Sequence, residues 1–267
     1  MKDGHIHTPY CPHGSNEALE SYIERAISLD YSSMTFTEHA PLPPSFTDPA
    51  PNRDSSMKME DVNDYLETVS RLKKAYKDDI TIHTGFEVDY IYGYEREIEA
   101  FLDRYGPYVD DSILSVHFLK PANDWYCIDY SPAMFNQAIN DAGSIYNLYS
   151  LYYAQLKESA LCDLGRYKPK RIGHMTLVKK FQQIYDPPAE WRHMAIEFLD
   201  IVKKQELSLD YNGAGIKKEY CLETYPPLSI ATLASSKGIP LIYGSDAHHP
   251  DGLKQGYETL NAKLIMK

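Results

Sequence analysis

Short apolar runs alternate with longer amphipathic stretches along nearly the whole chain. The first strand is expected at the N-terminus, where it carries His5, Ile6 and His7. Alternate side chains of an extended strand share a side, so His5 and His7 face one point while Ile6 turns toward packing. Ser15 or Asn16 then caps a helix whose Leu19, Tyr22, Ile23, Ala26 and Ile27 have the three-four spacing of one buried face. A second strand is expected at Met34 to Thr37, ending in Glu38 and His39. Pro41 to Asp54 holds five prolines and little periodicity, which predicts a long loop of the kind that is often functional in compact domains. Helical character covers Met57 to Lys77, and a third strand from Ile80 to Phe86 delivers Glu87 and Asp89 just past its end.

The alternation continues with a helix near Glu95 to Arg104 and a fourth strand, Ser112 to Val116, ending at His117. Lys120 to Pro132, rich in Trp, Tyr, Asp and Asn, suits a loop over a site. A long helix is expected at Ala133 to Ser159, with its tyrosines assigned to packing. A fifth strand, Lys170 to Gly173, precedes His174, and Trp191, Met194, Ala195, Phe198, Leu199 and Val202 mark an amphipathic helix over Ala189 to Gln205. The sixth strand is Leu207 to Tyr211, followed by a turn at Asn212 to Gly215. A helix near Leu228 to Ser236 leads to the seventh strand, Ile239 to Tyr243, and then to Asp246, His248 and His249. Strands each followed by a helix predict an α/β fold with a parallel sheet. Closing that sheet into a (β/α)7 TIM-like barrel brings all the C-terminal strand ends to one face, whereas an open doubly wound sheet would spread them along a line.

Length and composition narrow the picture. With 267 residues and 43% hydrophobic side chains, the chain can bury a sizeable core, and one domain over residues 1–267 is expected. A net charge of -11, from 27 basic and 38 acidic residues, argues against a nucleic-acid or anionic-membrane surface. Cys11, Cys127, Cys162 and Cys221 have no paired spacing, which disfavours a zinc ribbon or disulfide framework. With no signal-peptide pattern at the N-terminus and no apolar run of about 20 residues, a cytoplasmic protein is expected.

The histidines change the picture most, because His39, His117, His174 and His248 fall at or just beyond the ends of apolar runs. Together with His5 and His7 they bring imidazoles toward the expected C-terminal face of the sheet, as a metal site requires. His83, within a strand, and His193, within a helix, read as plain core or surface residues. His249 reads equally as an outer contact of the site or as a solvated residue. Asp89 and Glu38 are candidates either to orient ligand imidazoles or to serve as capping or solvated groups.

Six motifs carry a resemblance: His5-Ile6-His7-Thr8, Thr37-Glu38-His39, Gly85-Phe86-Glu87-Val88-Asp89, Ser115-Val116-His117-Phe118, Ile172-Gly173-His174 and Gly244-Ser245-Asp246-Ala247-His248. In this order they resemble the polymerase and histidinol phosphatase (PHP) superfamily. The Asp210 to Gly215 turn and the Glu223 to Pro227 stretch resemble its stand-alone histidinol-phosphate phosphatases. The resemblance implies a distorted seven-stranded barrel and three divalent metal ions of zinc, iron or manganese, a range that the imidazole and carboxylate donors suit. His5, His7, Glu87 and Asp246 would hold the first ion, and Glu87 would bridge to a second completed by His117 and His174. His13, His39 and His248 would hold the third.

The same resemblance implies hydrolysis of L-histidinol phosphate in histidine biosynthesis, a small phosphomonoester substrate attacked by a hydroxide that bridges two metals. Asp246 would take the hydroxide proton, and His39, His248 or a metal-bound water would protonate the leaving alkoxide. Arg166, within a basic cluster ahead of His174, and Lys218 are expected to contact phosphate, with Arg53 a further candidate. Asp124, Asp129, Asp48 and Asp54 are possible acceptors for the ammonium and imidazole. A PHP-type protein-tyrosine phosphatase and a metal-binding regulatory protein without turnover are the alternatives.

Overall fold

The computed structural model describes residues 1–266. Its strands are β1 (Lys2–Ile6), β2 (Ser33–His39), β3 (Thr81–Asp89), β4 (Ile113–Ser115), β5 (Phe118–Leu119), β6 (Tyr126–Cys127), β7 (Arg171–Ile172), β8 (Ser208–Asn212) and β9 (Leu241–Gly244). The helices are α1 (Leu19–Ser28), α2 (Val62–Ala75), α3 (Glu95–Tyr105), α4 (Pro132–Ala142), α5 (Ile145–Leu161), α6 (Trp191–Lys204) and α7 (Leu228–Ser236). A seven-stranded parallel sheet runs in the order β1-β2-β3-β4-β7-β8-β9. It curls until the chain beyond β9 meets the end of β1. There the His7 amide donates to the Ala247 carbonyl at 3.0 Å and the Asp246 amide to the His5 carbonyl at 2.7 Å.

The result is a distorted, nearly closed (β/α)7 barrel with its helices packed outside. Its strands are covered on both faces, as parallel strands must be, so their apolar positions are buried, and so are the polar side chains they carry, such as His5, Glu87 and Asp210. Met34 and Phe36 of β2, Ile82 and Phe86 of β3, and Leu209 and Tyr211 of β8 are all buried. Helix α1 buries Leu19, Tyr22, Ile23 and Ala26, and each large apolar side chain fully covered contributes about 1.5–3 kcal/mol. One apolar core reaches from Ile6 to Leu260. Among the described residues no helix is long and apolar enough to cross a membrane.

Several expected boundaries move. Strand β3 continues to Asp89, so Glu87 and Asp89 are strand residues whose direction is set by the pleat rather than by a following loop. Helix α1 begins at Leu19 without a side-chain cap; Ser15 Oγ instead accepts from the Glu17 amide at 2.9 Å in the turn ahead of it. The expected long helix is divided into α4 and α5. Gly143 stops α4 in a left-handed conformation with φ of 78°, and Ser144 Oγ caps α5 by accepting from the Asn147 amide at 3.1 Å. The loop after β4 contains the antiparallel β5–β6 hairpin.

Many tyrosines do pack. Tyr22, Tyr149, Tyr152, Tyr153, Tyr211 and Tyr243 are fully buried. Buried Tyr65 donates from α2 into the barrel wall, with its hydroxyl 3.0 Å from the Phe36 carbonyl and 2.8 Å from that of Gly85. Arg171 is 1% exposed and donates to the Gly4 carbonyl and to Asp111, both at 2.8 Å. Its guanidinium passes so close to β1 that a Cβ at Gly4 would lie 2.0 Å from an Arg171 nitrogen.

Candidate metal centre

The register of the sheet assembles the site. Pairing of β2 with β3 sets His39 beside Glu87, and pairing of β3 with β4 sets Asp89 beside Ser115. Glu87 lies at the middle of the cluster that results. One carboxylate oxygen, Oε2, is 3.3 Å from His5 Nε2, 3.4 Å from His7 Nε2 and 3.3 Å from His39 Nδ1. The other, Oε1, is 2.8 Å from His174 Nε2 and 3.8 Å from His117 Nε2, and it accepts from Ser115 Oγ at 2.6 Å. Asp246 Oδ1 stands 3.2 Å from His7 Nε2 and 3.8 Å from His5 Nε2. Glu87 therefore faces His5, His7 and Asp246 on one side and His117 and His174 on the other.

Behind these imidazoles stand carboxylates. Asp210 Oδ2 is 2.7 Å from His5 Nδ1, Asp89 Oδ1 is 2.7 Å from His117 Nδ1, and Glu38 Oε1 is 3.2 Å from His7 Nδ1. Glu38 also accepts the His39 amide at 2.8 Å, so it orients one histidine and shapes the turn to the next. A carboxylate on Nδ1 fixes the ring and leaves Nε2 directed inward, the arrangement that metal-ligating histidines need. Asp210 is the member of this trio that the sequence reading missed. Its signal was the Asp210 to Gly215 turn at the end of a strand facing β1 residues distant in sequence.

The inward nitrogens test whether cations fit. His5 Nε2 and His7 Nε2 face each other at 3.2 Å, and so do His117 Nε2 and His174 Nε2. Carboxylates hold the opposite edges of His5, His7 and His117, while His174 Nδ1 is buried without a partner; nitrogens of rings held in this way converge favourably only on a proton or a cation. Burial pulls the His5 imidazole down, but Glu87, Asp210 and Asp246 outweigh it and carry it up to about 10. Burial likewise opposes His117, which Asp89 and Glu87 raise to about 10. Burial would raise Glu87 and Asp246, yet the surrounding imidazoles hold both well below the usual carboxylate range. The negative charge that keeps protons on these rings is the charge that divalent cations would neutralise in their place. Imidazole and carboxylate donors are also the chemistry that binds such ions.

The remaining histidines form a second group toward solvent. The His39 and His248 rings are 5.9 Å apart, with His13 at 5.3 and 5.1 Å from them. His13 is exposed and its Nδ1 meets the Asp54 carbonyl at 2.9 Å. The long loop thus reaches the site through Asp54. Burial and neighbouring imidazoles lower both His39 and His248 well below the ordinary range. His249 lies on the cavity wall and accepts the Asp251 amide at 3.1 Å. His83 is half-buried within β3, and His193 is exposed and paired with Glu197 at 3.0 Å.

A cavity of about 730 Å³ opens over the cluster, lined in part by His13, Glu87, His117, Asp129, Lys180 and Lys218. Lys218 is on this wall, beyond the end of β8. Arg166 is not: it is exposed, lies 5.6 Å from the Tyr167 ring, and sits in the segment entering β7. A residue that precedes a strand arrives at its N-terminal end, whereas the cluster occupies the C-terminal ends. Of the same basic segment, Lys168 binds the Ala160 and Cys162 carbonyls at the end of α5, and Arg171 is buried under β1. Arg53 is exposed with φ of 52° and lies next to the wall residue Asp54 without lining the cavity. Asp129 and Asp54 line it, while Asp48 spends its oxygens on the Ala50 and Ser55 amides. Asp124 lies outside it. Lys180, not singled out from sequence, donates to Asp129 Oδ2 at 3.0 Å.

Comparison with known proteins gives a consistent result. A PHP domain matches residues 3–214. The histidinol-phosphatase of Bacillus subtilis (strain 168) is 46% identical over 259 residues, covering 96% of this chain and 97% of that protein. A crystal structure of a candidate histidinol phosphatase from Listeria monocytogenes superimposes with a TM-score of 0.93 at 39% identity, covering 97% of this chain and 99% of the other. The histidinol phosphate phosphatase of Lactococcus lactis, solved with zinc, L-histidinol and phosphate, shares the fold at a TM-score of 0.73 and 19% identity, over 100% and 94% of the two chains.

Proposed function

The chain belongs to the PHP-domain family, and from that premise we propose that it is a metal-dependent phosphatase hydrolysing L-histidinol phosphate to L-histidinol and phosphate in histidine biosynthesis. The observation that carries this reading is the near-full-length similarity to a histidinol-phosphatase. The buried cluster of histidines around Glu87 supports it by providing the donors that metal-assisted phosphomonoester hydrolysis needs. We read residues 1–267 as one catalytic domain acting in the cytoplasm on a small-molecule substrate.

Three divalent cations, with zinc favoured among zinc, iron and manganese, would supply Lewis-acid charge for the phosphoryl oxygens and acidify water. His5, His7, Glu87 and Asp246 would hold one, Glu87, His117 and His174 a second, and His13, His39 and His248 a third. Asp246 is the proton acceptor in this scheme. Its carboxylate is ionised at neutral pH, and Asn212 Nδ2 donates to its Oδ2 at 3.1 Å, which leaves Oδ1 directed at the cluster. Neutral His39 and His248 suit lone-pair donation to a cation better than proton transfer to the leaving alkoxide.

Lys218 supplies positive charge on the cavity wall for the phosphate. Lys180 is already bound to Asp129, so the pair presents both a cation and a carboxylate edge to the substrate. Asp129 and Asp54 are the acceptors offered to the ammonium and imidazole of histidinol. The test is phosphate release by zinc-loaded protein from L-histidinol phosphate, unrelated phosphomonoesters and a tyrosine phosphopeptide. Preferential hydrolysis of histidinol phosphate that disappears in His117→Ala supports the proposal; equal rates on all esters, or preference for the peptide, would overturn it.

A further inference from the structure

The segment between His7 and Ser15 is clamped at both ends against the last barrel crossing. The His7 amide donates to the Ala247 carbonyl at 3.0 Å and the Ser15 amide to the His248 carbonyl at 2.9 Å. Between the clamps, the Cys11 amide binds the Thr8 carbonyl and the Gly14 amide binds the Cys11 carbonyl, both at 3.0 Å. Gly14 packs so tightly on this turn that a Cβ there would lie 3.2 Å from Cys11 Cβ. The turn sends His13 outward and Cys11 inward, so His13 is exposed and Cys11 is buried.

One donor atom from each of His7, Cys11, His39 and His248 lies within 4.8 Å of the other three. In a tetrahedral zinc site, sulfur and nitrogen donors are about 3.3–3.6 Å apart, so small side-chain rotations would bring the Cys11, His39 and His248 donors to coordination distance, with His7 left to the first position by its contacts with Glu38, Glu87 and Asp246. His248 Nε2 is buried without a hydrogen-bond partner, and His39 Nδ1, 3.3 Å from Glu87 Oε2, forms no hydrogen bond either. The other thiols differ. Cys127, Cys162 and Cys221 each donate to a protein oxygen, Asp129 Oδ1 at 3.3 Å, Ser159 O at 3.6 Å and Glu223 O at 3.5 Å. Among the described residues no oxygen accepts from Cys11.

We propose that Cys11 is a sulfur ligand of the third cation, which it holds together with His39 and His248. Binding forms a sulfur–metal bond and releases the thiol proton to solvent. His13, on the solvent side, then becomes an exchangeable fourth donor. A soft sulfur donor biases this position toward zinc over manganese, unlike the first two positions with their imidazole and carboxylate donors. The inference rests on the metal-centre reading but not on the identity of the substrate.

The experiment is optical titration of the metal-free full-length protein with cobalt(II). We expect a near-ultraviolet thiolate-to-cobalt charge-transfer band as the last ion binds, lost in Cys11→Ser and retained in Cys127→Ser and His13→Ala. The visible cobalt bands of the other two positions report that Cys11→Ser is folded. If that variant does not fold, X-ray absorption of zinc-loaded wild-type protein decides, with a sulfur neighbour at about 2.3 Å expected. No charge-transfer band, one unchanged by Cys11→Ser, or only nitrogen and oxygen neighbours around zinc would overturn the proposal. Phosphate release from histidinol phosphate is followed in parallel. Turnover without the band removes the Cys11 ligand alone, whereas the band without turnover supports the ligand and removes the substrate reading.

Discussion

Asp210→Asn isolates the effect of a carboxylate that stands behind the cluster. Asp210 is fully buried, accepts from Asn212 Nδ2 at 3.0 Å, and lies 2.7 Å from His5 Nδ1, on the ring edge opposite the inward Nε2. Asparagine keeps the size and can still accept from Nδ1, but it removes the negative charge that makes Nε2 a stronger donor. Loss of such an outer partner costs about 10–100-fold in metal affinity or activity, which is about 1.4–2.7 kcal/mol at 1.36 kcal/mol per decade. We expect zinc retention against a chelator and kcat/KM to fall together within that range. Restoring zinc to excess should recover part of the kcat loss, because the remaining ligands are intact. The assay is metal content and phosphate release on the same samples, with thermal melting of the chelator-treated forms as the control for folding. Zinc retention and kcat/KM within twofold of wild type, in a folded protein, would refute the role given to Asp210.

Other consequences can be checked independently. Tyr65→Phe removes the donor shared by the Phe36 and Gly85 carbonyls inside the barrel wall and should lower unfolding stability by about 1–3 kcal/mol, measured by urea denaturation. Lys218→Ala should raise KM for the phosphate ester with little change in melting temperature, while Arg166→Ala should leave KM unchanged, both read from initial-rate kinetics. Burial raises Asp3 to about 6, against hydrogen bonds from Ser245, the His5 amide and Tyr31. The folded protein therefore binds more protons than the unfolded chain between about pH 4 and 6. Stability from this group is fully present below about pH 4 and is lost as pH rises through 6. Asp3→Asn should flatten that part of the pH-stability curve in urea melts, and an unchanged slope would contradict the assignment.

The linear order of residues determined the strands, the alternation with helices, and the candidate histidines at strand ends. These are local patterns: parallel strands covered on both faces are rich in apolar residues, and a two-residue spacing such as His5 and His7 puts two rings on one side of any strand. The broken helix was locally legible too, since Gly143 and Ser144 are a stop and a cap in succession. Tertiary structure decided the rest. Arg166 and Lys218 are both basic residues near strands, but one precedes its strand and the other follows, and only the closed barrel makes that difference one between opposite ends of the molecule. Asp210 became a partner of His5, and Cys11 a neighbour of His39 and His248, because curling the sheet brought β8 and the chain after β9 against β1. Side-chain chemistry is written residue by residue, whereas the distances that turn separate donors into one site come from closure of the barrel.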